Sequence, residues 1–111
     1  MNILRTLFGG VKEISPEKYH QAYETQEHIL LDVRNPSEFT AEHIDGAVNI
    51  PLNKLQKKLK TLPQDRPIIC VSRSGDRGRE ATDLLHHAGY NAANLAGGIL
   101  AWRKAGERLV H

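Results

Sequence analysis

The sequence is poor in cysteine, and this scarcity excludes several kinds of site. Its 111 residues include one cysteine, Cys70, so no disulfide can form within the chain, and paired-cysteine zinc or redox motifs are excluded. No apolar run approaches the roughly 20 residues of a membrane-spanning helix. The first residues lack the basic start, long apolar stretch and cleavage site of a secretory signal. A reducing compartment is the simplest interpretation, and we expect a cytoplasmic chain without a membrane span.

A large excess of one charge is also absent. The chain carries 15 Lys and Arg against 13 Asp and Glu, a formal net charge of +2. So small an excess gives no reason to expect a nucleic-acid partner. It suits a small anionic ligand only where the positive charges converge locally.

Length and composition indicate one globular domain. Hydrophobic residues make up 40% and charged residues 25%, close to the averages for soluble proteins, and a chain of this length holds one core but not two. We divide the chain into an N-terminal segment, residues 1–10, and a domain, residues 11–111. Apolar residues at helical spacing indicate that the segment docks onto the domain. A simple linker, or a contact with a membrane or partner, is the alternative.

Strand and helix signals alternate along the domain. Apolar runs predict strands over residues 29–33, 47–50, 67–71 and 93–95. Helical signals begin at Ser15-Pro16 and recur as a short helix containing Glu38, an amphipathic helix over 52–62, a helix ending at Gly89 and a helix over 99–105. This order predicts an α/β fold, a small doubly wound parallel sheet flanked by helices on both faces. Ligands bind beyond the carboxyl ends of the strands in such sheets.

The loop from Ser72 to Arg77 lies at such an end, between the strongest strand and a helix. Backbone N–H groups can converge there with the positive end of the helix, glycine permits a close approach, and guanidinium groups suit oxyanions. An ordinary turn with solvated arginines fits the pattern equally well. The candidate anion-binding residues are Arg73, Ser74, Gly75, Asp76 and Arg77. We expect the amides and both guanidinium groups to meet over an open pocket whose floor is residue 72.

Three ordered segments resemble the signatures of single-domain rhodaneses. LLDVRNPSEFTAEHIDGAVNIP (residues 30–51) matches L-D-V-R-x-x-x-E-F…G-H-I-x-G-A-x-N-I-P, and GGILAWRKAG (residues 97–106) matches G-G-x-x-A-W-x-x-A-G. Between them, SRSGDRG (residues 72–78) is similar to the loop C-R-S-G-x-R-S. Ser72 then stands at the position of the family's cysteine and Gly78 at that of its final serine, while Glu42 replaces a usual glycine.

The resemblance implies a sulfurtransferase that needs no cofactor and no metal. In this family a cysteine takes the outer sulfur of thiosulfate or another persulfide donor and passes it to cyanide, a thiol or a protein acceptor. Ser72 occupies the position of that catalytic residue. Serine forms no persulfide, and without a general base it is a poor nucleophile, so we expect the chain as written to be inactive. The replacement is either natural or engineered.

Two other functions stay open. The first is a non-catalytic rhodanese-like module that binds an anion or docks a protein, because the basic face of the helix over 52–62 would suit an acidic protein partner. The second is phosphate-ester chemistry, since rhodanese-fold phosphatases share the architecture. Their loop between cysteine and arginine is one residue longer, so the length from Ser72 to Arg77 favours the sulfur type.

Several residues outside the loop have both a functional and a structural interpretation. Asp32 and Arg34 follow a strand at the same edge and are supporting residues, either framing the pocket or, as we favour, forming structural ion pairs with Glu38 or a loop arginine. Cys70 is expected in the core, where thiols are inert. We expect His43 to fix its loop rather than act as a base, and Trp102 to anchor the core.

Overall fold

The computed structural model of the chain describes residues 10–111, so the predictions made for the segment before Gly10 lie outside the described residues. In chain order the elements are β1 (Glu13–Ile14), α1 (Pro16–Ala22), β2 (Ile29–Asp32), α2 (Pro36–Ala41), β3 (Val48–Asn49), α3 (Leu52–Lys58), a 3₁₀ turn (Leu59–Thr61), β4 (Ile68–Val71), α4 (Asp76–His87), β5 (Ala92–Leu95) and α5 (Gly98–Lys104). The five strands are all parallel and lie in the order β1-β5-β4-β2-β3. The predicted fold class is confirmed.

Alternating side chains of the central strands form two cores, one on each face of the sheet. Leu30 and Ile69 point toward the face that α1 and α5 cover, where Tyr19 and Trp102 are buried. Leu31, Cys70 and their neighbours point to the opposite face, against α3 and α4. Strands that are buried on both faces need nearly continuous apolar sequence, and this explains the runs ILLD and IICV.

Two elements differ from the sequence prediction. β1 was not predicted, because two residues are too few to show an alternating pattern, yet it pairs with β5 at the sheet edge. The helix expected over 52–62 ends at Lys58 and continues as the 3₁₀ turn. There the buried Tyr90 hydroxyl donates to the carbonyl groups of Leu59 and Leu62, and the Leu59 carbonyl also accepts the N–H of Leu62. These contacts hold the end of the helix in the 3₁₀ form. Within residues 10–111 no helix is long and apolar enough to cross a membrane.

A histidine between two carboxylates connects α1 to the C-terminal segment. The Nδ1 of His20 lies 3.0 Å from an oxygen of Glu24, and its Nε2 lies 3.0 Å from an oxygen of Glu107. The ring also lies 5.3 Å from that of Trp102, centre to centre. Partial burial alone would lower the pKa of His20, but the hydrogen bond to Glu24 and the charges of both carboxylates outweigh it, and the pKa is raised above its usual 6.5.

This arrangement predicts a pH-dependent contribution to stability. Because the folded-state pKa is raised, the contribution is complete below the unfolded value of about 6.5 and is lost as the pH rises through the folded-state pKa. His20→Gln should therefore lower the free energy of unfolding at mildly acidic pH and change it little at alkaline pH. Urea unfolding of both proteins at the two pH values measures this. An equal loss at both would show that packing, not charge, is what His20 supplies.

Candidate functional site

The candidate loop begins where β4, the middle strand of the sheet, ends. Ser72 follows Val71 directly, and Gly75, with a φ of +111°, precedes α4. A positive φ is accessible to glycine at little cost, and it turns the chain so that the helix starts over the strand end. The predicted placement of the loop, at the carboxyl edge of the sheet and at a helix N-terminus, is what the structure has.

Backbone amides of the loop and of the first turn of α4 converge on the side chain of Ser72. Its Oγ accepts hydrogen bonds from the N–H of Gly75 at 3.1 Å and of Gly78 at 3.0 Å. The carbonyl group of Ser72 accepts the N–H of Ile99 at 2.8 Å, which ties the loop to α5. A Cβ on Gly98 would stand 2.1 Å from that carbonyl oxygen, so only glycine allows α5 to approach so closely.

The expectation of an open pocket floor was wrong. Ser72 has no exposed surface (0%), because the two amides draw its hydroxyl inward and the start of α5 packs against its main chain. The converging amides were correctly anticipated. In this conformation they are occupied by the hydroxyl itself, and a ligand does not reach residue 72 without movement of the loop.

The two loop arginines differ in their contacts, and Arg77 does not contribute a free charge to the loop as expected. Arg77 forms a two-pronged ion pair with Glu38 of α2, Nη1 to Oε1 at 2.7 Å and Nη2 to Oε2 at 3.1 Å. Arg73 is exposed, and its guanidinium group makes no hydrogen bond or ion pair with any residue from 10 to 111. The two arginines differ because Arg77 has the Glu38 carboxylate within reach. Bidentate Arg–carboxylate pairs are among the strongest polar contacts in proteins.

The remaining loop positions face solvent. Ser74 and Asp76 are both exposed. The carboxylate of Asp76 forms an ion pair with Arg79, one turn further along α4. An acidic group so placed favours the helix N-terminus, and its charge opposes rather than assists an incoming anion.

Asp32 and Arg34 form a buried ion pair with each other, not with Glu38 or a loop arginine. Arg34 Nη2 lies 2.9 Å from Asp32 Oδ2 and also donates to the carbonyl oxygen of Glu42 at 2.7 Å. The Asn49 side chain donates to the main-chain carbonyls of both residues. Buried charges need such complete pairing, so this cluster braces the carboxyl edge of the sheet beside the loop.

Three further residues have structural surroundings. Burial raises the pKa of the Cys70 thiol to about 12, so it stays protonated and unreactive at neutral pH. His43 Nδ1 lies 2.7 Å from the carbonyl oxygen of Phe39, and its ring stacks on that of Phe39 at 3.9 Å. Trp102 is buried, and its Nε1 donates to the main-chain carbonyl oxygen of Arg108. Glu42 has an extended backbone, φ −167°, which needs no glycine.

Asn94 is a loop-supporting residue that sequence reasoning missed. It is fully buried in β5, where its Nδ2 donates to Glu13 Oε1 at 2.9 Å and to the carbonyl oxygen of Gly75 at 3.3 Å. A Cβ on Gly78 would stand 2.1 Å from its Oδ1. A polar residue inside a strand of four buried positions was the available signal, because buried amides in strands need specific partners.

Comparison with known proteins agrees with this geometry. The model of the rhodanese-like domain family matches residues 15–105. A sulfurtransferase of Allochromatium vinosum is 33% identical over 102 residues, 90% of this chain and 95% of the relative. The adenylyltransferase and sulfurtransferase UBA4 of Yarrowia lipolytica is 33% identical over 102 residues, 90% of this chain but 26% of that longer protein.

Among solved structures, a rhodanese-related protein of Thermoplasma volcanium superposes with a TM-score of 0.82 at 28% identity, covering 89% of this chain and 97% of its own. The order of the strands, the loop at the end of the middle strand and these matches agree, and the chain belongs to the rhodanese-like domain family.

Proposed function

We propose that this domain is built for sulfur transfer from thiosulfate or a persulfide through a nucleophile at position 72, and that Ser72 leaves the chain as written inactive. The observation that carries the proposal is the pair of hydrogen bonds from the Gly75 and Gly78 amides to Ser72 Oγ, at 3.1 and 3.0 Å. Two amides at a helix N-terminus lower a thiol pKa and stabilise a persulfide anion in the same place.

With cysteine at position 72 the chemistry is a simple displacement. The thiolate attacks the outer sulfur of thiosulfate, a new S–S bond forms, and sulfite leaves with the electron pair of the old one. The persulfide then passes its outer sulfur to cyanide, a thiol or a protein acceptor, and the thiolate returns. A serine hydroxyl forms no such bond, and among residues 10–111 no base lies within hydrogen-bond reach of Ser72 Oγ to activate it.

Cys70 does not replace the missing nucleophile. It lies inside β4 on the face that α3 and α4 cover, and burial raises the pKa of its thiol to about 12. The thiolate fraction at neutral pH is therefore negligible.

Restoring the thiol is the direct test. We expect Ser72→Cys, in a Cys70→Ala background, to gain the mass of one sulfur atom after thiosulfate treatment and to lose it to cyanide. The unchanged chain and the Cys70→Ala variant alone should gain none. Intact-protein mass spectrometry reads both steps. A Ser72→Cys variant that folds, reacts with a small thiol reagent and still takes no sulfur would refute the proposal.

A non-catalytic role as an anion-binding or docking module is the second candidate. It is favoured by the full coverage of Ser72, which leaves the loop closed in this conformation. A further support is the outer face of α3 and the 3₁₀ turn, where four lysines are exposed and no acidic residue stands between Pro51 and Pro63. Those lysines are Lys54, Lys57, Lys58 and Lys60. Such a face would suit an acidic protein.

This candidate predicts that the unchanged chain binds sulfate or thiosulfate without turnover. We expect isothermal calorimetry at low salt to show weak binding of both anions, weakened further as salt screens the charges, with no sulfite released from thiosulfate. Chloride at the same ionic strength is the control. If neither anion binds, the anion-binding role is refuted. Docking to an acidic protein is then the only non-catalytic role that remains.

The location and the partners stay predictions. The single cysteine favours the cytoplasm, and the loop length favours sulfur over phosphate-ester chemistry. The donor is proposed as a small anionic sulfur compound.

A further inference from the structure

The two loop arginines have opposite surroundings. Arg77 is half-buried and both of its terminal nitrogens contact the carboxylate of Glu38. Arg73, four positions earlier, is exposed, and its guanidinium group has no partner among residues 10–111. The sequence pattern predicts the same role for both arginines, as cations that bind an incoming anion. Their contacts in the structure are different and indicate different roles.

Glu38 is itself held in place for this pairing. It lies in the first turn of α2, and its Oε1 also accepts the N–H of Asn35 at 3.0 Å. The carboxylate is therefore oriented before Arg77 reaches it. Arg77 in turn lies along an open groove of about 430 Å³ that Asn35 of the α2 cap and Asn53 of α3 also line. Its guanidinium group extends toward α2, where it contacts Glu38.

We propose that Glu38 is an internal competitor that withholds Arg77 from anions at the loop, so that Arg73 is the arginine that recognises the anion. This inference rests on the proposed sulfur-handling function and refines it: Arg77 is a positioning residue that ties α4 to α2, and recognition of the donor's charge belongs to Arg73.

The competition is unequal because Glu38 is tethered. A carboxylate on the same chain meets Arg77 at an effective concentration of the millimolar order or above, and a free dianion has to displace two hydrogen bonds at once. The hydrogen bonds of Arg77 to Glu38 lower the pKa of this carboxyl to about 2. Glu38 therefore stays ionised throughout the neutral range, and the competition does not relax with ordinary changes of pH.

Sulfate titration of the full chain separates the two arginines. With a matched pair of variants, Arg73→Gln should weaken sulfate binding about tenfold, the effect of losing one charge-assisted contact, and Arg77→Gln should change it by less than about threefold. Calorimetry at low salt measures both. Equal losses in the two variants would overturn the assignment, and this comparison does not depend on any change at Glu38.

Freeing Arg77 is the complementary test. Glu38→Gln removes the charge but keeps an oxygen for the Asn35 amide, and it should tighten sulfate binding several-fold, about the value of one added contact to a cation. The gain in sulfate affinity should vanish in the Glu38→Gln/Arg77→Gln double variant, because the gain depends on a free Arg77 guanidinium group. Circular dichroism confirms that each variant is folded. No gain in folded Glu38→Gln, or no sulfate binding by any variant, overturns the inference.

The outcome is separable from that of the proposed function. If Ser72→Cys takes no sulfur while Glu38→Gln still tightens sulfate binding, the sulfur-transfer proposal fails and the competition stands. If Ser72→Cys forms a persulfide while the two arginine variants bind sulfate equally well, the competition is refuted and the sulfur chemistry stands.

Discussion

Two backbone amides that donate to one buried side-chain oxygen organise this end of the molecule. The N–H groups of Gly75 and Gly78 reach Ser72 Oγ only because Gly75 takes a positive φ and because α5 closes behind the loop at Gly98. Each contact has a net value of about 1 kcal/mol. Together these two hydrogen bonds fix the position at which α4 starts. They also occupy two of the amides at its N-terminus and keep the side chain at position 72 away from solvent.

Around this centre most of the charges are paired within the protein, and Arg73 is the exception among the loop residues 72–77. The ion pairs are Asp32 with Arg34, Glu38 with Arg77, and Asp76 with Arg79. Each pair reduces the positive field that the arginines of the sequence would otherwise create at the loop. The proposed anion site would therefore depend more on its amides, whose dipoles are oriented by the fold and need no counter-ion, than on the number of basic residues nearby.

The sequence was informative wherever one short pattern determines one local structure. The apolar runs predicted the central strands, Ser15 with Pro16 predicted the start of α1, and three motifs predicted the family. It was less informative about which partner a charged side chain selects. Arg77 and Arg73 occupy similar positions in the pattern, and only the proximity of Glu38, 39 positions away in sequence, distinguishes them. The coverage of Ser72 depends on α5, which begins only at Gly98, so a prediction from short sequence patterns does not detect it.

The edge strand β1 has a consequence for where this domain can be cut. Glu13 accepts a hydrogen bond from Asn94, and the same Asn94 amide donates to the carbonyl oxygen of Gly75. The family match begins at residue 15, two positions after that carboxylate. A fragment trimmed to the match would keep every loop residue yet leave the buried Asn94 amide with one acceptor fewer, directly behind the loop. The smallest unit that keeps this hydrogen bond therefore starts no later than Glu13.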